Sequence, residues 1–214
     1  MMSATTNHTK DTKQKLPQGW RWVKLGEVCE TRTGIRNPKA APEVPFKYID
    51  IASIDNVRKC ITGVQPILGK DSPSRARQIV RTNDVLVATT RPNLNAVAKV
   101  PEELDNQICS TGFCVLRANQ HAVSDYLFAW VRHPNFINAL TDLVKGALYP
   151  AVTDRQVLSQ PIPLPPLAEQ QRIAGILKEQ MTAVDKARAA AEQELAAINA
   201  LPAALLRRAF SGGL

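Results

Sequence analysis

The chain has 214 residues, 44% of them hydrophobic and 21% charged, and a formal net charge of +8. That length suits one domain with an extension or two small domains, and the apolar content suffices for a buried core. No apolar run approaches the ~18 residues of a membrane-spanning helix, and the cationic excess, concentrated before residue 167, points to a polyanionic partner such as nucleic acid.

Residues 1–15 are polar and mixed in charge, without an apolar core, so they read as a disordered N-terminal arm and not as a signal peptide. Ordered structure is expected from Leu16, where Pro17 and Gly19 turn the chain and Trp20, Trp22 and Leu25 offer apolar groups to pack into a core. Thr31 to Pro45 reads as a basic loop carrying Arg32, Arg36 and Lys39. Phe46–Ile51 is β-prone, and Lys70 to Arg81 reads as a second basic loop with Arg75 and Arg77. Val85–Thr89 is a short apolar run entered by the turn Asn83-Asp84, the pattern of a buried strand. A polar loop with Arg91, Asn93 and Asn95 follows, and strands are predicted at Ala96–Val100 and Gly112–Leu116.

Helices come next. Ser124 is expected to cap a helix through Val131, which Pro134 breaks before a second over Phe136–Val144. Thr153 is expected to cap a short third helix. Four prolines between Pro161 and Pro166 fix φ and remove donors, which predicts a domain boundary. Beyond it, Leu167 to Leu201 lacks proline and is rich in Ala, Glu, Gln, Leu, Lys and Arg. Leu177, Val184, Ala191, Ile198 and Leu205 recur every seven residues, with Ile173, Ala187 and Leu201 four before members of that series. This is a coiled-coil seam on a rod of roughly 50 Å, which Pro202 should end or kink. So long a helix overshoots a domain of this size and has no second long helix in the chain to cover it. Its expected partner is an antiparallel second copy, giving a homodimer through Ile173, Leu177, Val184, Ala187, Ala191, Ile198 and Leu201.

The chain carries no phosphate-binding glycine loop, no HExxH, no GxSxG, and no Asn/Asp-Pro-Pro-aromatic signature of an adenine methyltransferase. Cys29, Cys60, Cys109 and Cys114 form no CxxC pair, and the three histidines are scattered, so no metal site is expected. The cysteines read as small buried thiols in a reducing cytoplasm. Glu169 in the first turn of the long helix complements its dipole.

Several segments together resemble the specificity subunit of type I restriction-modification systems. They are Leu16-Pro17 with Gly19-Trp20 and Leu25-Gly26-Glu27, then Asp84 to Pro92, Leu148 to Thr153, Pro163-Leu164-Pro165-Pro166-Leu167-Ala168-Glu169-Gln170-Gln171-Arg172-Ile173, and Leu205 to Gly212. Family members usually carry two recognition domains and two conserved helices, so this chain resembles half of one, either naturally short or truncated.

The resemblance implies an α+β fold: a target recognition domain over 16–165, with a mixed β-sheet and flanking helices, then a long C-terminal helix over 166–214. It implies double-stranded DNA as ligand. A methyltransferase subunit using S-adenosylmethionine, and in some systems a restriction subunit, would be the protein partners. The chain itself would be non-catalytic and without a cofactor.

Arg91, Asn93 and Asn95 are candidates for base reading, since Arg pairs with guanine and Asn with adenine through two hydrogen bonds. The alternative for the asparagines is that they satisfy a turn. Arg32, Arg36, Lys39, Arg75 and Arg77 are candidate phosphate or base contacts, against a solvated loop. Tyr149 either stacks or contacts phosphate, or closes the domain. Two other functional classes stay open: a recognition fragment of a single-chain restriction-methyltransferase, and a coiled-coil adaptor that does not touch DNA.

Overall fold

A computed structural model describes residues 16–30 and 32–213. The expected N-terminal arm lies outside the described residues. The chain divides into two compact units, one ending at Gln171 and the other running from Arg172.

In the first unit, β1 (Arg21–Lys24) opens the fold, followed by β2 (Pro45–Ile49) and the small hairpin β3 (Ile54–Asp55) and β4 (Cys60–Ile61). Next come β5 (Pro66–Leu68), β6 (Ala76–Ile79), β7 (Val85–Ala88), β8 (Val97–Lys99), β9 (Ile108–Ser110) and β10 (Phe113–Leu116). Helices α1 (Ser124–Trp130), α2 (Pro134–Leu143) and α3 (Asp154–Leu158) precede β11 (Pro161–Leu164), and α4 runs from Leu167 to Phe210. The α+β reading stands, with the expected single sheet divided among several small ones.

The central three-stranded sheet is antiparallel in the order β10-β7-β8. Every residue of β7 and β10 is buried, so both faces are covered, which is why these strands are uninterrupted apolar runs. Leu86, Ala98, Phe113, Val80 and Ile49 meet in the main core. A four-stranded mixed sheet, β5-β2-β9-β6, stands beside it, with β2 and β9 parallel and a bulge between Ala76 and Gln78. The expected loop over Lys70–Arg81 therefore contains a strand. Its Arg and Gln content hides it, and pairing with a strand some 30 residues away creates it.

The proline-rich segment is also a strand and not simply a break. β11 pairs antiparallel with β1, Leu164 opposite Arg21 and Pro161 opposite Lys24. Successive N–H groups of a strand point to opposite edges, so Pro161 and Pro163 remove donors from one edge only, which a two-stranded ribbon tolerates. Ile162 and Leu164 are buried.

Ser124 is not a cap. Val123 occupies that position without a side-chain cap, and the Ser124 hydroxyl, inside the helix, donates to the Asn83 carbonyl. Pro134 does not merely end α1; it starts α2, where its missing N–H is harmless. Thr153 caps α3 in a reciprocal box with Gln156. Trp20, Trp22 and Trp130 are half-buried around a cleft of about 300 Å³, not inside the core. The Trp130 indole N–H reaches the Pro161 carbonyl at 3.0 Å.

In the second unit, α4 continues through Pro202 instead of stopping there. Proline removes one internal hydrogen bond, but its neighbours Ala200, Leu201, Ala203, Ala204 and Leu205 are strong helix formers that carry the helix on. Past the helix end at Phe210, Gly212 turns the chain with a φ of +77° that suits glycine, and the Gly213 N–H closes back on the Arg208 carbonyl at 2.9 Å. Among the described residues no helix is long and apolar enough to cross a membrane.

Candidate nucleic-acid interface

The loop after β7 is pinned by hydrogen bonds, and the need for them starts in its backbone. Arg91 and Asn95 both adopt left-handed conformations, φ +49° and +45°, on either side of the short helical turn Pro92–Leu94. For a non-glycine residue this costs about 1–2 kcal/mol, so surrounding contacts must hold it. The Arg91 N–H donates to the Pro150 carbonyl at 2.8 Å, and the Val152 N–H to Thr89 at 2.8 Å. On the other flank, the Lys59 ammonium donates to the Asn95 carbonyl at 2.5 Å, and the Asn95 amide donates to Val131 at 3.2 Å.

These bonds sort the sequence candidates. Arg91 and Asn93 are exposed, and Tyr149 is 87% exposed on the neighbouring segment that the Arg91–Pro150 bond ties down. Asn95 is buried and spends its amide on Val131, so it serves the turn and is not placed to read a base. Its amide oxygen has no hydrogen-bond partner among the described residues.

Of the other candidates, Arg36, Arg75 and Arg77 lie on or beside β6. The 34–36 segment is stitched to it through Ile79 N–H to Gly34 at 2.8 Å and Arg36 N–H to Arg77 at 2.9 Å. Arg32, Lys39 and Arg75 are exposed. Arg36 and Arg77 are half-buried, their guanidinium groups held on the carbonyls of Asn106 and Ala76, both at 2.9 Å. The Lys39 turn is set by close packing: a side-chain carbon at Gly69 would lie 2.4 Å from the Pro38 carbonyl oxygen and 2.3 Å from that of Ala41.

One turn joins the two groups. The Thr111 N–H donates to the Arg75 carbonyl, and the neighbouring Gly112 carbonyl accepts both the N–H and the hydroxyl of Thr89, all at 2.9 Å. Arg75, Arg91, Asn93 and Tyr149 thus stand on loops joined in series by these hydrogen bonds.

Sequence reasoning missed three supports. Lys59, itself at φ +56°, has its ammonium pKa lowered by desolvation and then by the nearby Arg132. Asp84 is a buried acid, gripped by two hydrogen bonds of 2.7 and 2.8 Å from Arg117. Gln170, from the Glu169-Gln170-Gln171 run, is buried and donates to His121 and Pro165, both at 3.0 Å, while accepting the Val123 N–H at 2.9 Å. Asp84 and Gln170 lay in segments already singled out; Lys59 did not. The thiols of Cys29, Cys109 and Cys114 are buried, and desolvation pushes that of Cys29 up to about 12, with Asp84 adding to the rise.

Comparison with known proteins joins this geometry to a family. The profile described as "Type I restriction modification DNA specificity domain" matches residues 17–197. The specificity subunit of the Escherichia coli type I restriction enzyme EcoDI is 24% identical over 99% of this chain and 47% of its own length. The HsdS subunit of Thermoanaerobacter tengcongensis is 45% identical, with a TM-score of 0.78 over 92% of this chain and 50% of that one. A chain from a solved type I R-M system, studied for complex assembly and conformational transition, is also 45% identical, with a TM-score of 0.81 over 90% and 50%. The chain spans about half the length of these relatives. It belongs to the type I restriction-modification specificity family.

Proposed function

We propose that this chain is the DNA-reading, non-catalytic component of a type I restriction-modification complex, working in the cytoplasm. It binds double-stranded DNA through the joined loops and directs a partner methyltransferase, and where present a restriction subunit, to the site. S-adenosylmethionine belongs to that partner. Arg91 and Asn93 contact base edges, Tyr149 stacks or contacts phosphate, and Arg32, Lys39 and Arg75 contact phosphates. Arg36 and Arg77 hold the basic loops in place.

The exposed apolar seam of α4, with Val184, Ile198, Leu201 and Leu205 open to solvent, is the observation that carries the finer reading. Two chains paired antiparallel through α4 cover that seam on both copies. Two identical readers related by a twofold axis match DNA only where the site is an inverted repeat. The target is therefore bipartite and palindromic: a short half-site, an unread spacer, then the reverse complement. Methylation mapping in cells carrying this chain and a cognate methyltransferase tests this. The expected motif has identical halves in inverted order; different bases in its two halves would sink the homodimeric reading.

A further inference from the structure

The seam on α4 runs from Ile173 to Leu205 in alternating steps of four and three residues, and its polar members are Gln180 and Glu194. Antiparallel coiled coils set each a position against a d position of the other helix, so two copies can slide past one another only in heptad steps. The seam itself discriminates among these steps. Centred on Ala189, Ile173 faces Leu205 of the second copy, Leu177 faces Leu201, and Ala187 faces Ala191. Glu194 then meets Val184 of the second copy, within one helical turn of that copy's Arg188, and Gln180 meets Ile198, so both ends of the seam stay paired.

Neighbouring registers are worse. One step back sets Leu177 against Glu194 and Ala191 against Gln180, and leaves Leu205 facing residue 166, before the helix begins. One step forward sets Leu177 against Arg208 and Leu205 against Gln180, and runs Ile173 off the end of the helix. A polar residue at a core position is a known device for fixing register at some cost in stability.

We propose that the second copy docks on α4 in the register centred on Ala189, with Ala187 against Ala191 of that copy at the crossing. This rests on the homodimeric reading above. The flanking positions Ala183, Ala190 and Ala197 are small and exposed, which lets the helices approach closely. In this register Ala190 lies across the axis from Ala190 of the second copy.

Single cysteines placed in the full chain, A183C, A190C and A197C, test the register under mild oxidation, with sedimentation run in parallel. The expected result is a dimer by sedimentation, with a disulfide-linked dimer from A190C at least tenfold more abundant than from A183C, A197C or the parent chain. A dimer that links best at residue 183 or 197, or at none of them, overturns the register and leaves the homodimer standing. A monomer by sedimentation overturns both.

Discussion

The amide oxygen of Gln170 accepts the N–H of Val123 at 2.9 Å, performing from a distant segment the service that the third residue of a helix performs in a capping box. Its nitrogen holds the carbonyls of His121 and Pro165, so the start of α4 is latched to the residues just before α1. Truncating it leaves buried polar groups without partners. Gln170→Ala is expected to destabilise the chain by about 2–3 kcal/mol, read as a lowered midpoint in urea. An unchanged midpoint would show that the latch adds nothing.

Among the described residues, Asp84 and Arg117 form an enclosed ion pair, their side chains 1% and 11% exposed. Removing one partner strands the other. Arg117→Met should cost roughly 3–5 kcal/mol, and the double variant Arg117→Met/Asp84→Leu should recover part of that loss. Denaturant titration of the three proteins decides it; a double variant no more stable than the single would contradict the stranded-charge account.

Arg91 and Lys39 should separate base reading from phosphate contact. Arg91→Ala is expected to weaken specific binding by about 1–3 kcal/mol and to relax selectivity. Lys39→Ala should weaken all sequences alike and lower the salt slope by about one. Titrations of the assembled complex on cognate and scrambled duplexes at several salt concentrations measure both. Equal losses on cognate and scrambled DNA for Arg91→Ala would remove it from the readers.

Asp105 gives a pH dependence. Its carboxylate accepts the Thr82 N–H at 2.8 Å and the Thr82 hydroxyl at 3.2 Å, and the backbone bond is the main cause of its lowered pKa. A depressed folded pKa means stability that is present above the ordinary carboxylate value, about 3.9, and lost as pH falls through the folded value. Thermal midpoints of wild type and Asp105→Asn should differ at neutral pH and converge below about pH 4. A gap that persists in acid would assign the effect to something other than ionisation.

Charges in the seam should abolish the proposed homodimer. Leu177→Glu, Val184→Glu and Ile198→Glu together bury unpaired carboxylates at the interface, and sedimentation should then show a monomer. A dimer that survives would place the contact elsewhere.

What could be read from the sequence was whatever is encoded locally. β7 and β10 are continuous apolar runs, and Thr153 carries its capping partner Gln156 three residues on. The strands β6 and β11 could not be read that way, because Arg77, Gln78, Pro161 and Pro163 look like loop residues until β9 and β1 pair with them. The site shows the same division. Exposure of Arg91 and Tyr149 follows from a polar loop and a turn, whereas the burial of Asn95 depends on Val131 and Lys59, both some 36 residues away.

The pairing of β1 with β11 makes the recognition unit a cassette. Its first and last strands lie side by side, so the path that enters the unit leaves it at nearly the same place. A unit built this way can be excised, exchanged or repeated in tandem without stretching the chain on either side. Exchange of the segment encoding the loops between those strands would replace the proposed DNA-reading surface whole, while leaving the helix and whatever it grips untouched.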